Sequence, residues 1–439
     1  MLARQARVFP EFDLGVVERV IDGEPALSEI DRAFAHAIYD SAARYWLALE
    51  FVIGRFLTQP VGELEPRLRA ALIGGAVQIL ILDKVPVHSA INHAVEWAKV
   101  VIRPGAGKLA NAVLRKVAAL RPEGSLARRE RFTHLRDELP TADGGAIVLA
   151  EPCLPENELE RLSISTGHPD PLLRQWLEVR PMREVRSLAM HAMARPPIIL
   201  NVAHARSPLP PDAPILPHDQ PGHAVFDGPA SALAGLLSSR PDIWVQDPAS
   251  ALAVQSASDL KPRLILDLCA GLGTKTRQLA ATFPSARILA TDVDQRRFES
   301  LDRVFAGSSQ VAVQPPDRIL ELARGQADLV LLDVPCSNTG VLARRPEARY
   351  RFDAAHLKAL TDIQRQIVAD AISLLRENPR GRILYSTCSL EPDENARIAA
   401  WAGKWHGLAV AREHQRLPAG GPGLPPHRYS DGSYAALLG

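Results

Sequence analysis

The sequence predicts an α/β protein in which a doubly wound parallel sheet fills the C-terminal half, behind an all-helical domain and a small α+β connecting module. Three observations carry this expectation. From about residue 246, short apolar runs alternate with helical stretches, and three of those runs end in Asp267, Asp292 and Asp333. Residues 26–120 show only three- and four-residue apolar spacing, with no strand-like alternation. Between them, residues 168–245 carry scattered Pro and brief apolar bursts such as 197–202. The expected domains are 1–140, helical with a basic linker; 141–245, the connecting module; and 246–439, the α/β domain.

The elements follow in order. Ile30, Phe34, Ile38 and Tyr39 share one helix face, as do Leu72, Val77, Leu80 and Ile81. Another helix runs from near Ser89 through Ile91, Val95 and Val100, and Arg103-Pro104-Gly105 breaks it. Residues 109–117 form a further helix after Gly107. Residues 121–160, mixing Pro, Gly and charge, read as a linker with some helix. In the last domain, strands are expected over 263–268, 286–291, 327–332 and 382–385, and helices over 275–282, 295–305 and 354–375. Ligands of such sheets bind beyond the carboxyl ends of the strands. One crevice could therefore collect Asp267, Asp292, Asp333 and Cys388.

Composition narrows the function classes. The chain has 439 residues, 46% of them apolar, which excludes wholesale disorder. A net charge of +1 argues against a uniformly basic nucleic-acid coat. Four Cys in so long a chain exclude a disulfide scaffold. The first residues, MLARQARVFPEFDLG, show no signal-peptide core, and the longest apolar run, 70–82, is too short for a membrane helix. A cytoplasmic protein without membrane attachment is the expectation.

Two loops carry chemistry. Asp267-Leu268-Cys269-Ala270-Gly271-Leu272-Gly273-Thr274-Lys275-Thr276 follows a strand and opens a helix. Its glycines allow a tight turn close to a ligand, and the helix start offers free N–H groups. The spacing is neither that of a P-loop nor Gly-x-Gly-x-x-Gly, which argues against a nicotinamide enzyme. Asp292, ending the next strand, could hold a ribose or be a plain surface acid. Asp333-Val334-Pro335-Cys336-Ser337-Asn338 and Ser386-Thr387-Cys388-Ser389 each place a thiol after an apolar strand, where thiolates can be activated. Cys153 reads as an inert small hydrophobe, and so does the side chain of Cys269. No His cluster stands at metal-ligand spacing, so no metal is expected.

An acid and two thiols beside a nucleoside site suit methylation of cytosine at carbon 5. That carbon is a poor nucleophile until a thiolate adds to C6. The residues that carry this chemistry resemble the Sun-type RNA (cytosine-5)-methyltransferases of bacterial 16S rRNA, which have an antiterminator-like helical domain in front. The resemblance runs through VPVHSAINHAVEWAK and GKLANAVLRK within 85–116, HPDPLLRQWLE, PPIILNVAHAR, WVQDPASALA, DVPCSNTGVLARRPE, YSTCSLEPDEN and YSDGSYAALL. It implies a Rossmann-like methyltransferase core using S-adenosylmethionine on RNA, with small-subunit rRNA as the partner. It further implies Cys388 as nucleophile, Cys336 in product release, Asp333 on the N3 and amino edge of cytosine, and Lys275 near the reacting centre. Cys269, Ala270, Gly271, Leu272, Gly273, Thr274 and Lys275 would wrap the cofactor with Asp333 beside them, Asp292 would hold its ribose, Arg297 matches a family Arg, and Asp317 would lie near the adenine.

One departure stands out. The family's Ala-Pro-Gly-Gly-Lys-Thr is here Gly271-Leu272-Gly273-Thr274-Lys275-Thr276. If position 274 requires positive φ, Thr there would cost about 1–2 kcal/mol. That motivates an alternative, a non-catalytic RNA-binding or ribosome-assembly factor with a weakened cofactor loop. Two basic stretches are candidate phosphate contacts or plain solvated faces: Arg103, Lys108, Arg115, Lys116, Arg121, Arg128, Arg129, Arg131 and Arg136, then Arg344, Arg345, Arg349 and Arg351.

Overall fold

A computed structural model describes residues 28–122, 126–377 and 381–439. The chain divides into two compact units. The first comprises residues 1–195 with 342–353 and 421–424; the second comprises 196–341, 354–420 and 425–439. The expected connecting module of 141–245 is therefore split: residues up to Arg195 belong to the first unit and those from Pro196 to the second.

In the first unit, helices α1 (Glu29–Gly54), α2 (Pro66–Leu80), α3 (Val87–Val101) and α4 (Pro104–Ala118) enclose one core. Ser28 starts α1 by accepting the N–H of Asp31, and Trp46, Leu49 and Ile53 recur on its buried face. Pro104 does end the preceding segment, but it also opens α4 as its first residue, where a missing N–H is harmless. Residues 121–160 depart from the expected linker with some helix. They hold a three-stranded antiparallel sheet of β1 (Ala127–Arg129), β2 (Glu138–Pro140) and β3 (Ala146–Val148), in the order β1-β3-β2. Strands of three residues are too short for a period-two pattern to register in sequence. Helices α5 (Glu158–Thr166), α6 (Asp170–Val179) and α7 (Met182–His191) complete the unit's secondary structure before Arg195.

The second unit opens with a four-stranded antiparallel sheet, ordered β5-β6-β4-β7, of β4 (Ile198–Asn201), β5 (Ile215–Pro217), β6 (His223–Phe226) and β7 (Trp244–Val245). Beyond it lies a seven-stranded sheet ordered β10-β9-β8-β11-β12-β14-β13. Strands β8 (Leu264–Asp267), β9 (Arg287–Ala290), β10 (Val311–Val313), β11 (Leu329–Asp333) and β12 (Arg382–Thr387) are parallel. The last two, β13 (Val410–Arg416) and β14 (Ser433–Leu438), run antiparallel, so the sheet is mixed. Alternate residues build the two faces. Leu266, Leu289, Val330, Leu332, Ile383 and Tyr385 enter one core, and Ile265, Ile288, Leu329, Leu331 and Leu384 enter the other. Strand order reverses between β8 and β11, so a crevice opens beyond their carboxyl ends. Among the described residues, no helix is long and apolar enough to cross a membrane.

Candidate active site

Strand β8 ends at Asp267, and the loop behind it leads into the helix Thr274–Thr282. Gly273 supplies the left-handed residue before that helix, with φ of 84°. A Cβ there would stand 2.6 Å from the Phe305 ring, so glycine is required twice over. Thr274 is the first helical residue and is absent from the residues with positive φ. The strain expected at that position does not arise, and with it goes the motive for a non-catalytic reading. Gly271 donates its N–H to Asp292 Oδ2 at 2.9 Å, while Asp292 Oδ1 accepts from Asp294 N at 2.9 Å. Asp292 thus shapes the first loop, and each oxygen keeps a lone pair for another donor. A Cβ on Gly271 would meet nothing within 4 Å, so the loop faces open space. Arg297 sits exposed in the helix Gln295–Phe305, its N–H bonded to Asp294, and Asp317 is exposed in the first turn of Pro316–Ala323.

Strands β11 and β12 are direct neighbours, with Asp333 opposite Ser386, so the two Cys loops leave the same edge side by side. The register brings Cys336 Sγ to 3.2 Å from Cys388 Sγ. Cys388 Sγ also lies 3.2 Å from Asn338 Oδ1, and Asn338 Nδ2 donates to the Cys336 carbonyl at 2.8 Å. Asn338 holds a φ of 62°, a conformation Asn tolerates better than other side chains. Gly340 N donates to the Cys388 carbonyl at 2.8 Å, and Gly432 N donates to the Gly340 carbonyl at 2.7 Å. The two Cys loops and the segment before β14 are thereby laced together. The sequence reading passed over Asn338, although an Asn two residues after a loop thiol is a recognisable turn signal.

Lys275 Nζ donates to Asp333 Oδ2 at 2.8 Å. Burial pushes the ammonium down, yet the Asp333 carboxylate more than offsets it, and Lys275 ends above its ordinary value. A fixed positive charge therefore sits next to the thiol pair. The Cys336 thiol is pushed well up by its contact with Cys388 and by burial, so it holds its proton. Burial likewise raises Cys269, in keeping with an inert side chain in a loop whose backbone matters.

Asp267 is fully buried, accepts the Thr276 hydroxyl at 2.7 Å, and has no partner for Oδ1 among the described residues. Burial raises it from an ordinary 3.8 to about 7, against the pull of Thr276 and with help from Asp333. Between those values the folded state keeps a proton that the unfolded chain has released. Stability is therefore present below about pH 4 and is lost as pH rises through about 7. Asp267→Asn should flatten that part of the curve. Melting temperatures of both proteins from pH 4 to 8 check it, and parallel curves would remove Asp267 from the linkage.

Five residues of the first basic stretch already have partners in the fold. Arg103 pairs with Glu65, Arg128 with Asp83, Arg129 with Asp137 and Glu138, and Arg136 with Glu156, while Arg121 donates to the Ile79 carbonyl. Arg349 is fully buried and donates to the carbonyls of Thr166, Ala192 and Leu342. It pins the first unit internally and is not a phosphate contact. A lone Arg in a charge run gives no sequence sign of such a role.

Comparison with known proteins adds an independent line. Residues 251–438 match the family model described as 16S rRNA methyltransferase RsmB/F, and residues 14–119 match the NusB family. The ribosomal RNA small subunit methyltransferase B of Xanthomonas campestris pv. campestris is 30% identical, covering 93% of this chain and 89% of its own. Its namesake in Sodalis glossinidius is 29% identical, covering 94% and 90%. The solved structure of PH0851 has the same fold, with a TM-score of 0.70 at 22% identity over 95% of this chain and 91% of that one. A methyltransferase homolog protein from Pyrococcus horikoshii gives a TM-score of 0.51 at 18% identity, over 65% of this chain and 99% of that one.

Proposed function

We propose, for a chain that belongs to the 16S rRNA methyltransferase RsmB/F family, that the methyl group goes to carbon 5 of a cytidine through a covalent adduct on Cys388. The chain is an RNA methyltransferase of that family, acting on small-subunit rRNA. The observation that supports the finer reading is the thiol pair: two sulfurs 3.2 Å apart, at the ends of adjacent strands, beside the Lys275–Asp333 ion pair. Its setting is the cytoplasm, where thiols stay reduced.

The site residues fit S-adenosylmethionine. The open face at Gly271, the Asp267 Oδ1 that has no partner among the described residues and the spare lone pairs of Asp292 suit an amino acid and a ribose. In this reading Cys269 to Lys275 wrap the methionine end, Asp292 takes the ribose hydroxyls, and Arg297 and Asp317 border the rest. When bound, the cofactor supplies the electrophilic methyl that C5 takes.

This chain's residues do the remainder. Cys388 gives its proton to solvent, and its thiolate adds to C6, moving electron density to C5. Asp333 accepts from the exocyclic amine and from the proton that N3 takes up from solvent as the thiolate adds and returns to solvent on release, and the charge of Lys275 holds that carboxylate in place. After methylation the C5 proton must leave, its electron pair must form the C5–C6 double bond, and the C6–S bond must break. Cys336 passes its proton to the departing Cys388 sulfur and takes up the one from C5, so both thiols end protonated. The target base has to leave its stack to reach these loops.

The test separates the thiols. Cys336→Ala should leave adduct formation intact and block release, so a slow-migrating protein–RNA band should persist on a denaturing gel with 16S rRNA and S-adenosylmethionine. The Cys336→Ala, Cys388→Ala double variant should give none. A band from Cys388→Ala alone would reverse the roles, and no band from Cys336→Ala would end them.

A further inference from the structure

Behind the thiol pair lies a carboxylate that the mechanism above does not use. Glu394 is fully buried, and no Lys, Arg or His among the described residues stands within ion-pair distance of it. Its charge is met by neutral donors instead. Oε1 accepts Ser337 N at 2.9 Å and Gln364 Nε2 at 3.0 Å. Oε2 accepts the hydroxyls of Ser337 and Ser389. Gln364 Nε2 also reaches the Pro335 carbonyl at 2.9 Å. The Tyr385 hydroxyl donates to the Glu394 backbone carbonyl at 2.6 Å and fixes the residue from below.

The donors come from particular places. Ser337 follows Cys336 directly, Pro335 precedes it, and Ser389 follows Cys388. One carboxylate therefore grips both thiol loops at the residues next to the sulfurs. A buried anion without a cation is costly, and an apolar residue of similar volume would serve packing as well or better. What an apolar residue could not do is hold these two loops in one register. Of the two grips, the one on the Cys336 loop is the tighter, with two bonds to Ser337 and a bridged third to Pro335.

We propose that Glu394 is a positioning residue for product release, holding the Cys336 thiol against Cys388 at the distance that proton transfer needs. Its nearness to Cys336 agrees with that thiol's keeping its proton, since the negative charge of Glu394 adds to the effects of sulfur contact and burial. Attack on C6 needs only Cys388, which is half-buried, is also met by Asn338, and has its loop tied to Glu394 by the single Ser389 hydroxyl. Loosening Glu394 should therefore slow release more than attack.

The inference rests on the release role assigned to Cys336, and the experiment keeps the two apart. Full-length Glu394→Gln, an isosteric change that swaps a double acceptor for one acceptor and one donor, is run with 16S rRNA and S-adenosylmethionine beside wild type and Cys336→Ala. Turnover should fall about ten-fold or more, with adduct accumulating as it does in Cys336→Ala and with cofactor affinity held within about two-fold. Ser337→Ala removes a single hydroxyl and should show the same accumulation to a smaller degree; it carries the test if Glu394→Gln does not fold. Lost turnover without adduct in a folded variant that binds cofactor normally would make Glu394 merely structural and overturn the proposal. Unchanged turnover would overturn it as well. Adduct absent even from Cys336→Ala would instead bring down the release role itself, and this inference with it.

Discussion

Cys388→Ala should abolish methyl transfer to 16S rRNA while the folded protein still binds its cofactor. The expected loss exceeds about 10⁴-fold, the scale on which enzymes respond when a nucleophile is removed. Nothing in the neighbourhood can stand in easily. Cys336 lies 3.2 Å away, but it is buried and holds its proton, and its loop is fixed by Ser337 and Asn338. The change itself is structurally mild. Cys388 is half-buried, its sulfur bonds among the described residues to Asn338 and Cys336, and the backbone bond from Gly340 to its carbonyl survives in Ala. A stability cost below about 1 kcal/mol follows. Incorporation of labelled methyl into RNA, with a calorimetric cofactor titration on the same sample, checks both halves. Activity near wild type would take Cys388 out of the mechanism.

How much of this could be read beforehand depends on the length and locality of each signal. Four of the five parallel strands were legible because each is a continuous apolar run ending in an acid or a polar loop, and Asp267, Asp292 and Asp333 fell at or just past their ends; the three-residue β10 was not foreseen. The thiol loops were legible because Pro-Cys and Thr-Cys follow such strands. Their sulfur contact was not, since it depends on β11 and β12 being neighbours, a pairing between residues far apart in sequence. Glu394 and Gln364 were missed for the same reason: a buried acid and a helical Gln look like ordinary surface residues until the fold closes over them. The three-residue strands β1 to β3 escaped because no period can be read from so few positions. Arg349 misled in the opposite direction. It sits in a run of Arg that reads as a phosphate-binding face, yet it is spent on three backbone carbonyls inside the first unit.

Asp333→Asn is expected to lower turnover by about 10²–10⁴-fold, the range that positioned acid–base groups supply. Two losses combine. The neutral amide is a weaker acceptor for the exocyclic amine and for the proton N3 takes up as the ring gains electron density, so little adduct should form, in contrast to Cys336→Ala. It also leaves Lys275 without its counter-charge. Lys275 has a side-chain exposure of 13%, and the Asp333 carboxylate is what lifts its ammonium above the ordinary range against the effect of burial. With the carboxylate gone, burial alone acts, and Lys275 should give up its proton at a lower pH than in wild type. Losing one partner of a fully buried pair costs about 3–5 kcal/mol. The cost here should be smaller, because Asp333 is 33% exposed and Lys275 can escape by deprotonating. A double-mutant cycle with Lys275→Met decides whether the pair acts as a unit. If it does, the double variant is more stable than Asp333→Asn alone, because no unpaired ammonium remains, and its turnover is no worse than that of the poorer single variant. If the stability losses simply add, the ion pair is incidental, and Asp333 acts on the cytosine without Lys275.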